Sequence, residues 1–380
     1  MKKELTPFLT ENYISKEYFC DREAELALLK KYAQNSVNIT LLSNRRMGKS
    51  ALIHRFFEDM EAENYACIYA DIFATGNLKE LTEELAAAIF KRFPQKHGFG
   101  RKFFDFLMGF RPVITYDALS GSPEIRFEHV TPVEYETTLR GLLTFLDTQN
   151  QKIIVAIDEF SQIAEYPEKK TEALLRTVVQ TLNNTSFIFC GSKKHLMLEM
   201  FNTANRPFFS STLTIGLDEI AADKYTAFIT DKFAIHKRTV DSEAVAFILD
   251  WTLRHTYYTQ FVCNAIFADG EKKIGIDVVK RVCDECLRVQ QTTFMQYRSL
   301  LAPVQWRLLV GIAKEGSVTG PQAKDFLRKY NIGAASSVKS ALNALCDKEM
   351  VCSIENPDKT AYRVYNVFLM RWLARTIKSL

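Results

Sequence analysis

At roughly 150 residues per domain, 380 residues make about two to three domains. Hydrophobic residues at 47% and charged residues at 25% exclude general disorder, and 15 Gly and 10 Pro exclude collagen-like and low-complexity architectures. The net charge of +4 is too small to argue nucleic-acid binding by itself, but residues 303–380 hold twelve Lys/Arg against six acids, so the tail carries +6 and the remainder −2.

The β-rich run 37–42 ends abruptly at Ser43-Asn44-Arg45-Arg46-Met47-Gly48, and a helical pattern starts at Lys49-Ser50-Ala51 and continues through Phe56, Phe57 and Met60. A strand over 66–73 and a helix over 78–92 follow. Strand, helix, strand, helix predicts a parallel sheet covered on both faces. Residues 93–130 break this rhythm: 111–118 and 124–130 read as an inserted hairpin around Leu119-Ser120-Gly121-Ser122-Pro123. The α/β order resumes with a helix over 133–149, a buried strand over 152–157, a helix near 168–182, a strand over 186–190 and a fifth over 212–217.

Beyond 218 the pattern is helical (221–233, 242–253, 257–268, 276–294), with no parallel-sheet signature, and predicts a small second domain. The third unit has helices over 303–314, 320–329 and 334–348. Extended segments over 350–355 and 361–365 flank the turn Asn356-Pro357-Asp358-Lys359. Three helices and a hairpin give the winged-helix order. The expected division is an α/β core over 1–218, a helical lid over 219–300 and a winged helix over 301–380. In the third helix of the tail, Ser336, Ser337, Lys339, Ser340 and Asn343 are the expected exposed positions, with Val338, Ala341, Leu342 and Leu345 facing the core. One lysine there is sparse for neutralising DNA phosphates.

Eight cysteines are scattered along the chain, and Cys283-Asp284-Glu285-Cys286 has no second pair to complete a zinc site. They suit a reducing cytosol. No apolar segment follows Met1-Lys2-Lys3-Glu4, and apolar runs such as 153–157 are far short of the roughly 20 residues of a membrane span. A cytoplasmic protein with no membrane partner is expected.

Ser43-Asn44-Arg45-Arg46-Met47-Gly48-Lys49-Ser50 fits the phosphate-loop pattern G-x-x-x-x-G-K-[ST] except at Ser43, where glycine is usual. Gly48 admits phosphate without a Cβ, and the amides from the loop through Ala51 converge on its oxygens. Lys49 supplies a point charge, and Ser50 a hydroxyl for Mg²⁺. In Ile153-Ile154-Val155-Ala156-Ile157-Asp158-Glu159-Phe160 a carboxylate pair ends a buried strand at the same rim, where Asp158 can hold Mg²⁺ and Glu159 polarise water. Ser192, at the tip of the next strand, is a candidate γ-phosphate sensor. Arg206 is either a transition-state finger or a salt-bridged surface group; Arg45 and Arg46 could instead meet a neighbouring protomer.

Together with Phe19-Cys20-Asp21-Arg22-Glu23-Ala24-Glu25-Leu26, the 43–50 loop, Val155-Ala156-Ile157-Asp158-Glu159-Phe160 and Phe189-Cys190-Gly191-Ser192-Lys193 resemble the archaeal-type ATPase family. That family is similar to the signal-transduction ATPases with numerous domains (STAND) and, more distantly, to origin-recognition AAA+ proteins. The resemblance covers about residues 13–270 by motif and the tail in general shape. It implies an additional-strand AAA+ P-loop fold with ATP and Mg²⁺ as ligands and the Arg22 segment near the adenine. By motif position, Lys49 and Ser50 meet phosphate and Mg²⁺, Asp158 meets Mg²⁺, Glu159 is catalytic and Ser192 senses. The sequence departs from the family at Ser43 and at Arg254-His255-Thr256-Tyr257-Tyr258, which stands where related ATPases carry Gly-x-Pro before two aromatics.

The expected function is a slowly ATP-hydrolysing switch, nucleotide state controlling domain arrangement and self-association or a protein partner. The alternatives are a nucleotide-dependent DNA-binding regulator acting through the winged helix and a scaffold that binds nucleotide without turnover.

Overall fold

The computed structural model describes residues 6–93, 99–128, 131–354 and 359–377. Three predominantly apolar strands, β1 (Ile39–Leu42), β5 (Ile153–Asp158) and β6 (Thr185–Gly191), are buried at every position. Such strands need cover on both faces. With β2 (Ala66–Asp71) and β7 (Leu213–Gly216) they form one parallel sheet in the order β2-β5-β6-β1-β7. Ile39 stands opposite Ile188 on one side and Leu213 on the other, and Asp71 stands opposite Asp158. β6 thus separates the strand before the 43–50 loop from the strand carrying Asp158, which is the expected additional-strand arrangement.

Alternation along the strands sorts side chains into two cores. Cys67, Ile154, Ala156, Ile188 and Cys190 pack with Leu29 of α1 (Glu23–Gln34) and with Leu52, Ile53 and Phe56 of α2 (Lys49–Ala62). Ile68, Val155, Ile157, Phe187 and Phe189 pack on the other face. There they meet α3 (Leu78–Arg92), α5 (Pro132–Asp147), α6 (Thr171–Val179) and α7 (Lys194–Asn202) through Leu85, Leu142, Leu175 and Met197.

The inserted hairpin is β3 (Pro112–Tyr116) against β4 (Pro123–Phe127), antiparallel, with Ile114 opposite Ile125. Ahead of it lies a helix the sequence reading did not anticipate, α4 (Phe99–Met108). Its Phe103 and Leu107, one turn apart, are fully buried, and Phe103 meets the Phe145 ring of α5 at 5.5 Å. Glycines and a proline around this segment obscure the helical period. α1 and α7 were likewise not anticipated. Residues 94–98 and 129–130 of the expected insertion lie outside the described residues.

The chain divides into two compact units, Glu11–Ile220 and Ala221–Leu380 with Met1–Thr10. The second contains α8 (Ala222–Ile235), α9 (Ser242–Trp251), α10 (Thr256–Asp269) and α11 (Ile276–Leu300). A two-residue parallel pair, β8 (Thr239–Val240) with β9 (Lys273–Ile274), corrects the expectation of no sheet here: backbone groups between helices still need partners. The winged-helix order follows as α12 (Pro303–Glu315), α13 (Lys324–Lys329), α14 (Ala335–Asp347), antiparallel β10 (Val351–Ile354) and β11 (Ala361–Val364), then α15 (Val367–Thr376). On α14, Val338, Ala341, Leu342 and Leu345 are buried, while Ser336, Ser337, Lys339, Ser340 and Asn343 are exposed. Of the expected turn, Asn356, Pro357 and Asp358 lie outside the described residues.

Stretches 219–300 and 301–380, expected as successive domains, pack here as one body. Phe368 of α15 lies 4.8 Å from Tyr258 and 5.5 Å from Trp251, ring to ring. Arg371 donates to the carbonyls of Trp251 (3.0 Å) and Asp250 (2.8 Å), satisfying the end of α9. The N-terminal segment, expected in the core, joins the same unit: Phe8 is 1% exposed against Phe233, and Asn264 donates to its carbonyl at 2.8 Å. Among the described residues no helix is long and apolar enough to cross a membrane.

Candidate functional site

The loop after β1 turns into α2 through two left-handed residues, Arg46 (φ 62°) and Gly48 (φ 94°). Gly48 takes that conformation without steric cost, and α2 then starts at Lys49 with its first-turn amides unsatisfied within the helix. Lys49 is 6% exposed. Its ammonium donates to Ser43 Oγ at 3.3 Å and to the Asn44 carbonyl at 3.4 Å, and among the described residues no acid pairs with it. Ser43 also donates to the Asn44 carbonyl at 2.8 Å, so the residue replacing the usual glycine shapes the loop from within. Met47 is buried, while Arg45 and Arg46 are exposed and Ala51 half-buried.

Asp158 ends β5 at the same rim and is 5% exposed. Its Oδ2 accepts from Ser50 Oγ (2.7 Å) and from the Tyr69 hydroxyl (2.5 Å). Its Oδ1 accepts from the Glu159 amide (2.9 Å) and from Cys190 Sγ (3.2 Å). Burial pushes the carboxyl pKa up, but these hydrogen bonds outweigh it and hold Asp158 below the ordinary carboxylate range. The site therefore presents a carboxylate. Burial first, then the Asp158 charge, raises the Tyr69 hydroxyl, which stays a donor.

Glu159 is left-handed (φ 55°), a conformation costing a non-glycine residue about 1–3 kcal/mol. That turn brings Oε2 to the tip of β6, where it accepts from the Ser192 amide at 3.0 Å and the Ser192 hydroxyl at 2.9 Å. Gly191, just before Ser192, is closely packed: a Cβ there would sit 3.0 Å from Met197 Sδ and 3.3 Å from Ser161 Oγ.

Two arginines stand apart from this cluster of contacts. Arg206 forms ion pairs with Glu172 (2.7 Å) and Glu199 (3.5 Å), the salt-bridged alternative for this residue. Arg22, 5% exposed, pairs with Glu25 at 2.8 Å and donates to the Asp218 carbonyl at 2.6 Å, tying the start of α1 to the chain beyond β7.

Sequence reasoning missed Tyr69, Cys190 and His54. His54, one turn beyond Ser50 on α2, lies 4.7 Å from the Tyr69 ring, and burial lowers its pKa. Asp71, opposite Asp158 in register, has its pKa raised by burial and then by the charges of Asp158 and Glu159. Strand order, which sets β2 and β6 on either side of β5, gathers Tyr69, Asp71 and Cys190 around Asp158, and α2 adds His54.

No curated protein matches the chain. Among solved structures it is similar to the Walker-type ATPase PABY2304 of Pyrococcus abyssi, at 17% identity, covering 97% of this chain and 99% of that one with a TM-score of 0.66. It is also similar to the Aeropyrum pernix ORC2 protein in its ADPNP-ADP complexes (13% identity, 97% and 96% covered, TM-score 0.55). A third likeness is to the Aeropyrum pernix ORC1 protein in complex with DNA (14% identity, 94% and 93% covered, TM-score 0.50). These likenesses show the fold, a P-loop ATPase core followed by helical and winged-helix parts. Residues 292–375 match the family described as "Probable winged helix domain". Residues 19–231, more than half of the chain, match the family described as "ATPase domain predominantly from Archaea", and the chain belongs to that family.

Proposed function

We propose that the protein binds ATP with Mg²⁺ at the 43–51 loop and hydrolyses it slowly, as a cytosolic switch whose nucleotide state controls association with a protein partner or with itself. The observation that carries this reading is Lys49: a buried ammonium whose hydrogen bonds among the described residues are two long ones to neutral oxygens. A charge removed from water is costly unless paired, and a phosphate is the anion that this loop geometry suits. The donor set also fits a divalent cation, since Ser50 Oγ and ionised Asp158 are hard oxygen ligands. Bound Mg²⁺ would neutralise charge on the β- and γ-phosphate oxygens.

In this reading the amides of residues 44–51 and Lys49 hold the phosphates, and Glu159 takes a proton from the water attacking the γ-phosphorus. The bond to the β–γ bridging oxygen breaks, leaving ADP and phosphate. Ser192, with hydroxyl and amide both on Glu159, acts as a positioning residue for that carboxylate as well as a sensor candidate. The Glu172 and Glu199 pairs of Arg206 support slow turnover, because they engage the arginine proposed as a finger.

The winged helix supports a protein-directed role over DNA binding. Lys329 pairs with Glu315, Arg328 with Asp325 and Arg375 with Asp284, so these tail cations already have partners. Replacing Glu159 with Gln tests the chemistry. ATP affinity is expected to stay within about twofold, while phosphate release falls by about 10²–10⁴, the usual contribution of a general base. Equal phosphate release from both proteins would remove Glu159 from the mechanism.

A further inference from the structure

An ionised carboxylate offers about four lone-pair sites, and four donors lie within hydrogen-bond reach of Asp158. The Glu159 amide and Cys190 Sγ sit on Oδ1; the first is fixed by the backbone, and the second, fully buried on β6, shares its one proton between Oδ1 at 3.2 Å and the Ile157 carbonyl at 3.5 Å. The other two, Ser50 Oγ and the Tyr69 hydroxyl, share Oδ2. Ser50 is the residue expected beside a divalent cation, and its O–H can keep donating to Oδ2 while its lone pair faces the metal. Tyr69 has no such second role. Its ring stands on β2, one strand over from Asp158, against the imidazole of His54 at 4.7 Å.

We propose that the Tyr69 hydroxyl competes with the cation's water shell for Asp158 Oδ2, and so sets how strongly magnesium couples to nucleotide binding. This rests on the reading of Asp158 as the residue facing Mg²⁺. Mg²⁺ keeps several of its waters, and those waters donate hydrogen bonds to carboxylates. With Tyr69 in place, a shell water must displace a short, charge-assisted hydrogen bond. Without it, Asp158 is still held by Ser50, Cys190 and the Glu159 amide, so the carboxylate stays oriented while one acceptor site opens. Tyr69 is therefore a positioning residue that tunes the cation.

The test measures ATP affinity by calorimetry in excess MgCl₂ and in EDTA, for the wild type, Tyr69→Phe and Cys190→Ala. The ratio of the two dissociation constants reads magnesium coupling separately from phosphate binding. Tyr69→Phe keeps the ring against His54 and is expected to raise that ratio at least threefold with the EDTA value unchanged. Cys190→Ala, acting on Oδ1, is expected to leave the ratio within twofold of wild type. An unchanged or lower ratio in Tyr69→Phe, or an equal rise in Cys190→Ala, overturns the proposal while leaving the nucleotide site intact. If wild-type affinity is the same in MgCl₂ and EDTA, the assignment of Asp158 to the cation fails, and this proposal with it.

Discussion

His54 shows how the burial of one side chain near Asp158 becomes measurable. Burial, the larger influence, lowers its pKa from 6.5, and the Asp158 charge only partly offsets this. The folded protein therefore binds the proton less readily than the unfolded chain. The imidazole's contribution to stability is present above pH 6.5 and is lost as pH falls through the depressed folded value. Thermal melts at pH 7.5 and pH 5.5 check the sign: wild type is expected to lose more stability on acidification than His54→Phe, which keeps a ring against Tyr69. Parallel losses in the two proteins would contradict it. Lys49, Ser50, Asp158 and Glu159 were legible as site candidates because each sits in a short local motif ending a strand or starting a helix. Tyr69 was not legible, because its partner lies 89 residues away and meets it only through strand order.

Between elements, the same distinction separates what the sequence predicted from what it left open. The hairpin β3–β4 was readable from two extended runs around Ser120-Gly121-Ser122, since turn chemistry is local. α4 was not, because its period shows only when Phe103 and Phe106 are seen to pack on Phe145. The sequence offers two readings of Arg206, and the structure gives it two acidic partners. It ties α6 to α7 by pairing with both Glu172 and Glu199; burial pushes the Glu172 pKa up and Arg206 draws it down. Arg206→Gln would strand Glu172, which is 8% exposed, without its counter-charge. A loss of about 2–3 kcal/mol in urea unfolding is expected, with phosphate release nearly unchanged. A fall of a hundredfold or more in phosphate release at intact stability would instead restore the finger role.

At the scale of the whole molecule, the sequence changes from α/β to helical patterning after residue 218, and the compact units are Glu11–Ile220 and Ala221–Leu380 with Met1–Thr10. The expected boundary near 300 was drawn from the start of the winged-helix order, but α15 returns to α9 and α10 through Phe368 and Arg371. No local pattern reports such a return. The proposal that nucleotide controls association requires that Glu11–Ile220 bind a triphosphate through the buried Lys49 ammonium. Calorimetric titration of Mg-ATP into wild type and Lys49→Ala tests that directly. Loss of a charge-assisted contact of about 1.5–3 kcal/mol predicts an affinity weaker by roughly 10- to 150-fold, with the fold intact by circular dichroism. Equal affinity in the two proteins would contradict the account.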